Sequence, residues 1–524
     1  MSAGLLSASR AVPPGQPGPD AAYVDADTLR TTFALAMSTM YKAEVPLYGD
    51  LIQIVQKVNR DAQARKLEGL EGSATMDASI DRLTLERHGA IRLGTPKELH
   101  TVRRIFNLLG MYAVGYYDMS VAGLPMHATC FRPTSPESLE RNPFRVFTTL
   151  LRPELLKSGA ARGVALNLLK RRNIFSDALI NLLDTAESTQ EGRLTPEQGE
   201  RFVIEALRTF SWQPLAAATH EEYALLRDEH PILADIACFR SSHINHLTPR
   251  ALDIAAAQEA MLAAGMAVKS RIEGPPPRKC PILLRQTSFL ALQEGIRFAI
   301  SGRDEFVDGF HKARFGEIEE RGAAVTPAGR KLYDELLDEA MATTQRGGKV
   351  VPSAVDQVFK ETFEKFPDDW NELRRRGLVY SEYKCAEGAR EKLAGIPNLE
   401  IVNPTSLLDQ LVSAGVLEAM PITYEDFLPF SAAGIFQSNL QSSPSTSDSA
   451  MDKEDAAKPD LHGYEKALKC HVLDANELYA QAQRNSLKRC AEELGLSLQD
   501  VSRFLGFYRW SASFICEAED LVHS

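Results

Sequence analysis

The feature that most restricts the fold of this chain is a unit that occurs twice, about 158 residues apart. In the first copy, an apolar run from Leu83 to Leu93 carries Arg87-His88-Gly89-Ala90-Ile91-Arg92 and reads as a strand. A helix follows with Leu99, Val102, Ile105, Phe106 and Leu109 on one face. It stops at Gly110, and Met111 to Tyr117 reads as the next strand. In the second copy, Ile244-Asn245-His246-Leu247-Thr248-Pro249-Arg250 precedes a helical stretch, Leu252 to Ala264, and then Gly265-Met266-Ala267-Val268. Each copy sets a histidine four residues before an arginine and closes its helix with Gly-Met ahead of an apolar strand. The spacing from His to Gly differs, 22 residues against 19. Recurrence at this scale predicts a pair of βαβ-type modules, and hence an α+β fold.

Other elements are arranged around this pair. Residues 27 to 59 read as two amphipathic helices broken near Pro46. Residues 136 to 235, between the copies, carry helical patterning at Phe144 to Leu156, Val164 to Leu183 and Pro196 to Phe210, and read as a helical insertion. Beyond the second copy come two strand-like runs, 282 to 288 and 313 to 320, and helices over 328 to 342 and 352 to 363. The expected organisation is a flexible N-terminus over 1–26 and a metal-binding catalytic domain over 27–440. A disordered Ser/Asp-rich linker follows over 441–460, and then a helical segment over 461–524 that packs back on the core.

Composition excludes several function classes. With a net charge of -11, the chain offers no positive field for a phosphate backbone, so nucleic acid is not an expected partner. No stretch reaches the ~20 apolar residues that span a bilayer. Seven cysteines, scattered and never spaced as CxxC, suggest neither a disulfide framework nor a zinc knuckle, and fit a reducing, cytoplasmic setting. The first twenty residues hold one arginine and a single acid, Asp20, which leaves organelle import open. Nucleotide-loop, HExxH and GxSxG signatures are missing.

What remains is a set of histidines and glutamates in strand-like runs. A mononuclear iron(II) centre needs two neutral imidazoles and one carboxylate, with the other positions left for substrate and dioxygen. His88, His246 and a glutamate of Phe315-Gly316-Glu317-Ile318-Glu319-Glu320 meet that need. Alternation sets Glu317 and Glu319 on one face, so spacing does not choose between them. His243 competes with His246, although the repeat aligns His246 with His88. His127 is a further polar candidate. Arg92 lies on the same strand face as His88, about 13 Å along an extended chain, and suits a substrate carboxylate. A structural ion pair would serve it equally well.

Four segments carry a resemblance: RHGAIRLGT (87–95), HINHLTPRALDI (243–254), RFGEIEERGAAVTP (314–327) and YEDFLPFSAAGIFQSNL (424–440). In that order they resemble the 2-oxoadipate dioxygenase/decarboxylase family, or hydroxyglutarate synthases, over residues 27 to 440. The resemblance implies a vicinal-oxygen-chelate fold, with paired βαββ modules cupping a mixed sheet around one metal. It implies Fe(2+) as cofactor, with 2-oxoadipate and O2 as substrates, and 2-hydroxyglutarate and CO2 as products in lysine catabolism. It also favours Glu317 as the third ligand, because the related hydroxyphenylpyruvate dioxygenases carry theirs in a similar aromatic-aromatic-Glu-Ile strand. Arg92 matches the family's substrate-binding arginine, and Phe430 and Ser431 match a segment that closes over the substrate. Phe430 stands where the family has a smaller valine, which bears on substrate length. Two other readings compete: another metal-dependent lyase or isomerase acting on a small 2-oxo acid, and a non-catalytic small-acid binding protein.

Overall fold

Strand β1, Arg87–Leu93, is the centre of the architecture. The computed structural model describes residues 23–67, 80–300, 305–346, 352–396, 404–428 and 458–496. Within them β1 pairs in parallel with β4 (Arg145–Leu151), setting His88 opposite Arg145, and antiparallel with β5 (Leu247–Pro249), setting His88 opposite Thr248. With β2 (Tyr112–Asp118) and β3 (Met126–Arg132) the sheet runs β2-β3-β4-β1-β5. The helix Pro96–Leu108 makes the crossover from β1 to β2. It starts with a capping box between Thr95 and Glu98 and Pro96 at its first turn. It stops where Gly110 takes φ of 64°, a left-handed value that disfavours a side chain.

The second copy repeats this order. After β5 come the helix Ile254–Ala263, then β6 (Leu284–Ser288) and, beyond an inserted hairpin of β7 (Gln293–Ala299) and β8 (Phe306–Lys312), β9 (Glu317–Arg321). β6 and β9 are antiparallel, and a bridge sets Arg250 parallel to Glu319. Further bridges set Val268 and Glu273 antiparallel to Phe289 and Gln286. The order 268–273, β6, β9, β5 thus mirrors β2, β3, β4, β1, and the β1–β5 pairing joins the halves. The duplication seen in sequence is therefore a pair of modules in space, with three extended segments after each helix. The sheets are open rather than closed into barrels.

One expected segment changes type. Phe144 to Leu156 is not helical: it forms β4 and a short 3-10 turn, Pro153–Leu155. Every residue of β4 is buried, and a strand buried on both faces reads as an unbroken apolar run that periodicity does not separate from a helix. The helical insertion accordingly starts after β4, with helices Gly159–Arg171, Asp177–Thr189, Pro196–Phe210, His220–Glu229 and Pro231–Ala237. Similarly, Leu83 to Leu85 close a short helix, Ile80–Leu85, and β1 begins only at Arg87. Phe430, Ser431, most of the 441–460 stretch, and the chain before 23 and after 496 lie outside the described residues. No helix among the described residues is long and apolar enough to cross a membrane.

Helices at both ends of the described chain pack on this frame. Ala26–Glu44 buries Phe33, Met37 and Tyr41, and the Tyr41 hydroxyl is directed at the carbonyls of Asn245 (2.9 Å) and Phe315 (2.8 Å). That contact ties the strand entries of two future site residues to one helix. Leu461–Leu468 sets Tyr464 against His127, ring centroids 4.5 Å apart, and its hydroxyl donates to Thr148 O at 3.2 Å. Burial, reinforced by Arg152, pushes the His127 pKa down to about 4. The unfolded chain, titrating near 6.5, binds a proton that the folded chain rejects. This group's contribution is complete above pH 6.5 and is lost as pH falls toward 4, by about 3 kcal/mol. His127→Phe is expected to flatten the acid limb of unfolding free energy between pH 6.5 and 4.5. Urea titrations across that range check this, and an unchanged limb would refute it.

Candidate metal centre

His88, on the central strand, and His246, one residue before β5, come to the seam between the modules, and Glu317 opens β9 beside them. All three are buried, and their ligand atoms lie within 4.8 Å of one another. Glu317 Oε1 stands 3.0 Å from His88 Nε2 and 3.9 Å from His246 Nε2. Two ligands on one ion with bonds near 2.1 Å are separated by about 3.0 Å at a right angle and about 4.2 Å across it. The observed spacings fall within that range. Gln286 Nε2 (2.8 Å) and Thr248 Oγ1 (3.1 Å) donate to the same carboxylate oxygen and fix its plane.

The remaining donor atoms supply the test of fit. Glu317 Oε2 and both ring nitrogens of His246 are buried without a hydrogen-bond partner. Leaving such groups unmet costs roughly 1–3 kcal/mol each, so their convergence calls for a ligand. Burial, together with His88 and Arg92, depresses the His246 pKa well below the usual histidine value, which keeps the imidazole neutral and its lone pair available. Two neutral imidazoles and one carboxylate fit a divalent iron, manganese or zinc ion.

Glu319 is the other carboxylate that alternation left open. It faces inward with Glu317, but meets the other side of the same ring: Glu319 Oε2 lies 3.1 Å from His88 Nδ1, without full hydrogen-bond alignment. Burial alone would raise its carboxyl pKa. Arg145, His88 and Arg321 outweigh burial and hold it well below the usual carboxylate range. An ionised Glu319 favours the tautomer with the proton on Nδ1, which turns the Nε2 lone pair toward Glu317. Arg145 Nη2 also approaches Nδ1, at 3.4 Å, but its closer partner is Glu319 Oε1. Arg321 donates from Nε to Glu319 at 2.9 Å and reaches Glu86 at 2.9 Å. Phe427 covers the ring of His88 at 4.9 Å and lies under the Arg145 guanidinium at 4.5 Å.

His243 does not join this group. Three residues before His246, it turns toward Asp235 and His311, and the three form a second buried cluster. Arg92 is drawn to the same place: its Nη1 lies 2.5 Å from Asp235 Oδ2. His127, on β3, belongs to the contact with Tyr464. Sequence reasoning missed Asp235, His311, Arg145 and Phe427. Asp235 sits in an apolar helix, Pro231–Ala237, where a lone carboxylate was the available signal. Nothing in the local pattern marks the other three.

Comparison with known proteins bears on most of the chain. A family model described as 2-oxoadipate dioxygenase/decarboxylase matches residues 33–439. A protein of that name from Pseudomonas putida is 44% identical over 478 residues, spanning 90% of this chain and 98% of its own length. One from Escherichia coli is also 44% identical, over 468 residues, spanning 89% and 98%. Among solved structures, the hydroxyglutarate synthase of Pseudomonas putida in complex with 2-oxoadipate superposes with a TM-score of 0.77 at 42% identity, covering 91% of this chain and all of that one.

Proposed function

The chain belongs to the 2-oxoadipate dioxygenase/decarboxylase family, and from that premise we propose that it is an Fe(II)-dependent enzyme converting 2-oxoadipate and O2 to 2-hydroxyglutarate and CO2 in lysine catabolism. The observation that carries the reading is the seam between the modules, where two imidazoles and a carboxylate converge with orphaned donor atoms. His88, His246 and Glu317 would hold the metal, and bound iron would supply the open positions at which a 2-oxo acid and dioxygen react.

The protein's own residues account for the remaining requirements. Glu319 keeps His88 in one tautomer, and Gln286 with Thr248 orients Glu317, so the donor set is arranged before substrate arrives. Arg92, with a guanidinium fixed in charge, holds a substrate carboxylate as a planar fork. Phe427 and the surrounding buried side chains keep water from the reacting group. By the family resemblance, Phe430 and Ser431 are substrate-binding residues, and the bulk of Phe430 would limit the substrate length accepted.

The test is direct. Protein purified without oxygen, loaded with Fe(II) and given 2-oxoadipate and O2 is expected to consume one O2 per 2-hydroxyglutarate formed, read by an oxygen electrode and mass spectrometry. Turnover without oxygen consumption would replace the oxygenase with a lyase or isomerase. Binding without turnover across a series of 2-oxo acids, shorter ones included, would replace it with a small-acid binding protein.

A further inference from the structure

The second buried cluster is built around Asp235 and lies next to the metal centre. Asp235 Oδ2 receives Arg92 Nη1 at 2.5 Å and Asn245 Nδ2 at 3.2 Å. Its other oxygen, Oδ1, receives His311 Nε2 at 2.8 Å, and His243 Nε2 stands 3.2 Å away. The Tyr223 hydroxyl lies 3.0 Å from His311 Nδ1, so with Nε2 given to Asp235 the ring has one tautomer that satisfies both contacts. Trp212 packs edge-on against His243 at 4.6 Å and stacks on His311 at 6.1 Å.

These ligand types also suit a cation, but the local charge opposes one. A guanidinium already occupies one oxygen of the only carboxylate in the cluster, and it would lie against any ion held by the other. Asp235 is a buried carboxylate kept ionised: burial raises its pKa, and Arg92, His243 and His311 outweigh that and hold it well below the ordinary value. The cluster therefore reads as a receptor for the guanidinium. Arg92 carries many rotamers, and binding through a long side chain is strong only when its geometry is set beforehand.

We propose that Asp235, anchored by His311, is the positioning residue that fixes the Arg92 guanidinium for the substrate carboxylate. His311 comes from β8, so the hairpin inserted between β6 and β9 reaches substrate recognition through this contact. The inference rests on the reading of Arg92 given under Proposed function.

The experiment measures the dissociation constant of 2-oxoadipate by calorimetry on iron-loaded protein without oxygen, for the wild type, Asp235→Asn, Arg92→Met and the double variant, with metal content read in parallel. Asp235→Asn is expected to keep one iron per chain and weaken binding at least tenfold. In the Arg92→Met background it should add no further loss, since residues that act as one unit are not additive. An additional tenfold loss in that background, or wild-type binding by Asp235→Asn while Arg92→Met fails to bind, would overturn the proposal and leave the function standing. Two metals per wild-type chain, falling to one in Asp235→Asn, would make the cluster a cation site and overturn it as well. Failure of the wild type to bind 2-oxoadipate would strike the functional reading itself. If Asp235→Asn does not fold, His311→Gln and His311→Leu carry the test. Gln keeps a donor for Asp235 and should bind as the wild type does, Leu should bind at least fivefold more weakly, and equal binding by both overturns the proposal.

Discussion

Glu317→Ala and His88→Ala are each expected to lose bound metal and, with it, measurable oxygen consumption, while Arg92→Ala is expected to retain metal and bind 2-oxoadipate at least tenfold more weakly. Each of the first two changes takes away one of the three candidate donors, so the loss should exceed the ~10–100-fold that removal of an outer partner of a metal ligand costs. Glu319→Gln supplies that contrast. It keeps the donor set and neutralises the carboxylate that faces His88 Nδ1 and pairs with Arg145 and Arg321, so metal affinity should fall ~10–100-fold with metal still bound at saturation. Metal analysis after equilibrium dialysis distinguishes the two classes. An iron-replete, inactive Glu317→Ala protein would transfer the ligand role to Glu319.

The second large effect is on stability. Asp426 accepts a bidentate pair from Arg132, at 2.8 and 3.0 Å, with both side chains only 2% exposed, and accepts the Tyr479 hydroxyl at 2.5 Å. Arginine does not shed its proton when its partner is removed. Asp426→Ala therefore strands a buried guanidinium and is expected to cost about 3–5 kcal/mol. The double change Arg132→Met with Asp426→Leu replaces the pair by apolar volume and should recover most of that loss. Denaturant midpoints at constant slope read both. The single variant also loosens Phe427, the next residue, whose ring covers His88. Wild-type stability in Asp426→Ala would show the pair to be worth no more than a surface bridge.

The residues that were legible in the sequence were those whose chemistry and local pattern coincide. His88 and His246 stand out because each opens a repeated unit, and a repeat constrains both members at once. Glu317 and Glu319 were legible as a pair and not as individuals, because period-two alternation points both inward. The distinction lies in which ring nitrogen of His88 each meets, a fact of tertiary placement. Arg92 was read on the correct strand, yet its partner Asp235 is 143 residues away and belongs to the helical insertion. The strand β4 was misread because complete burial removes the alternation that marks a half-exposed strand. His311 escaped notice because the hairpin that carries it interrupts the second module, and the first has no counterpart.

The antiparallel junction of β1 with β5 also bears on how the proposed metal would enter. Its two partners are some 158 residues apart in the chain, and the third donor follows 71 residues later. No stretch of the unfolded chain gathers the three candidate donors locally, so a metal held by them would discriminate between folded and unfolded molecules almost completely. Closure of the long loop must then be driven by apolar burial and the helical insertion, since its entropic cost grows only with the logarithm of loop length. Iron should arrive after folding and add to stability by mass action alone, with the unfolding free energy rising in proportion to the logarithm of free Fe(II) once the site is saturated. A chelator would then lower the melting temperature without dissolving the fold.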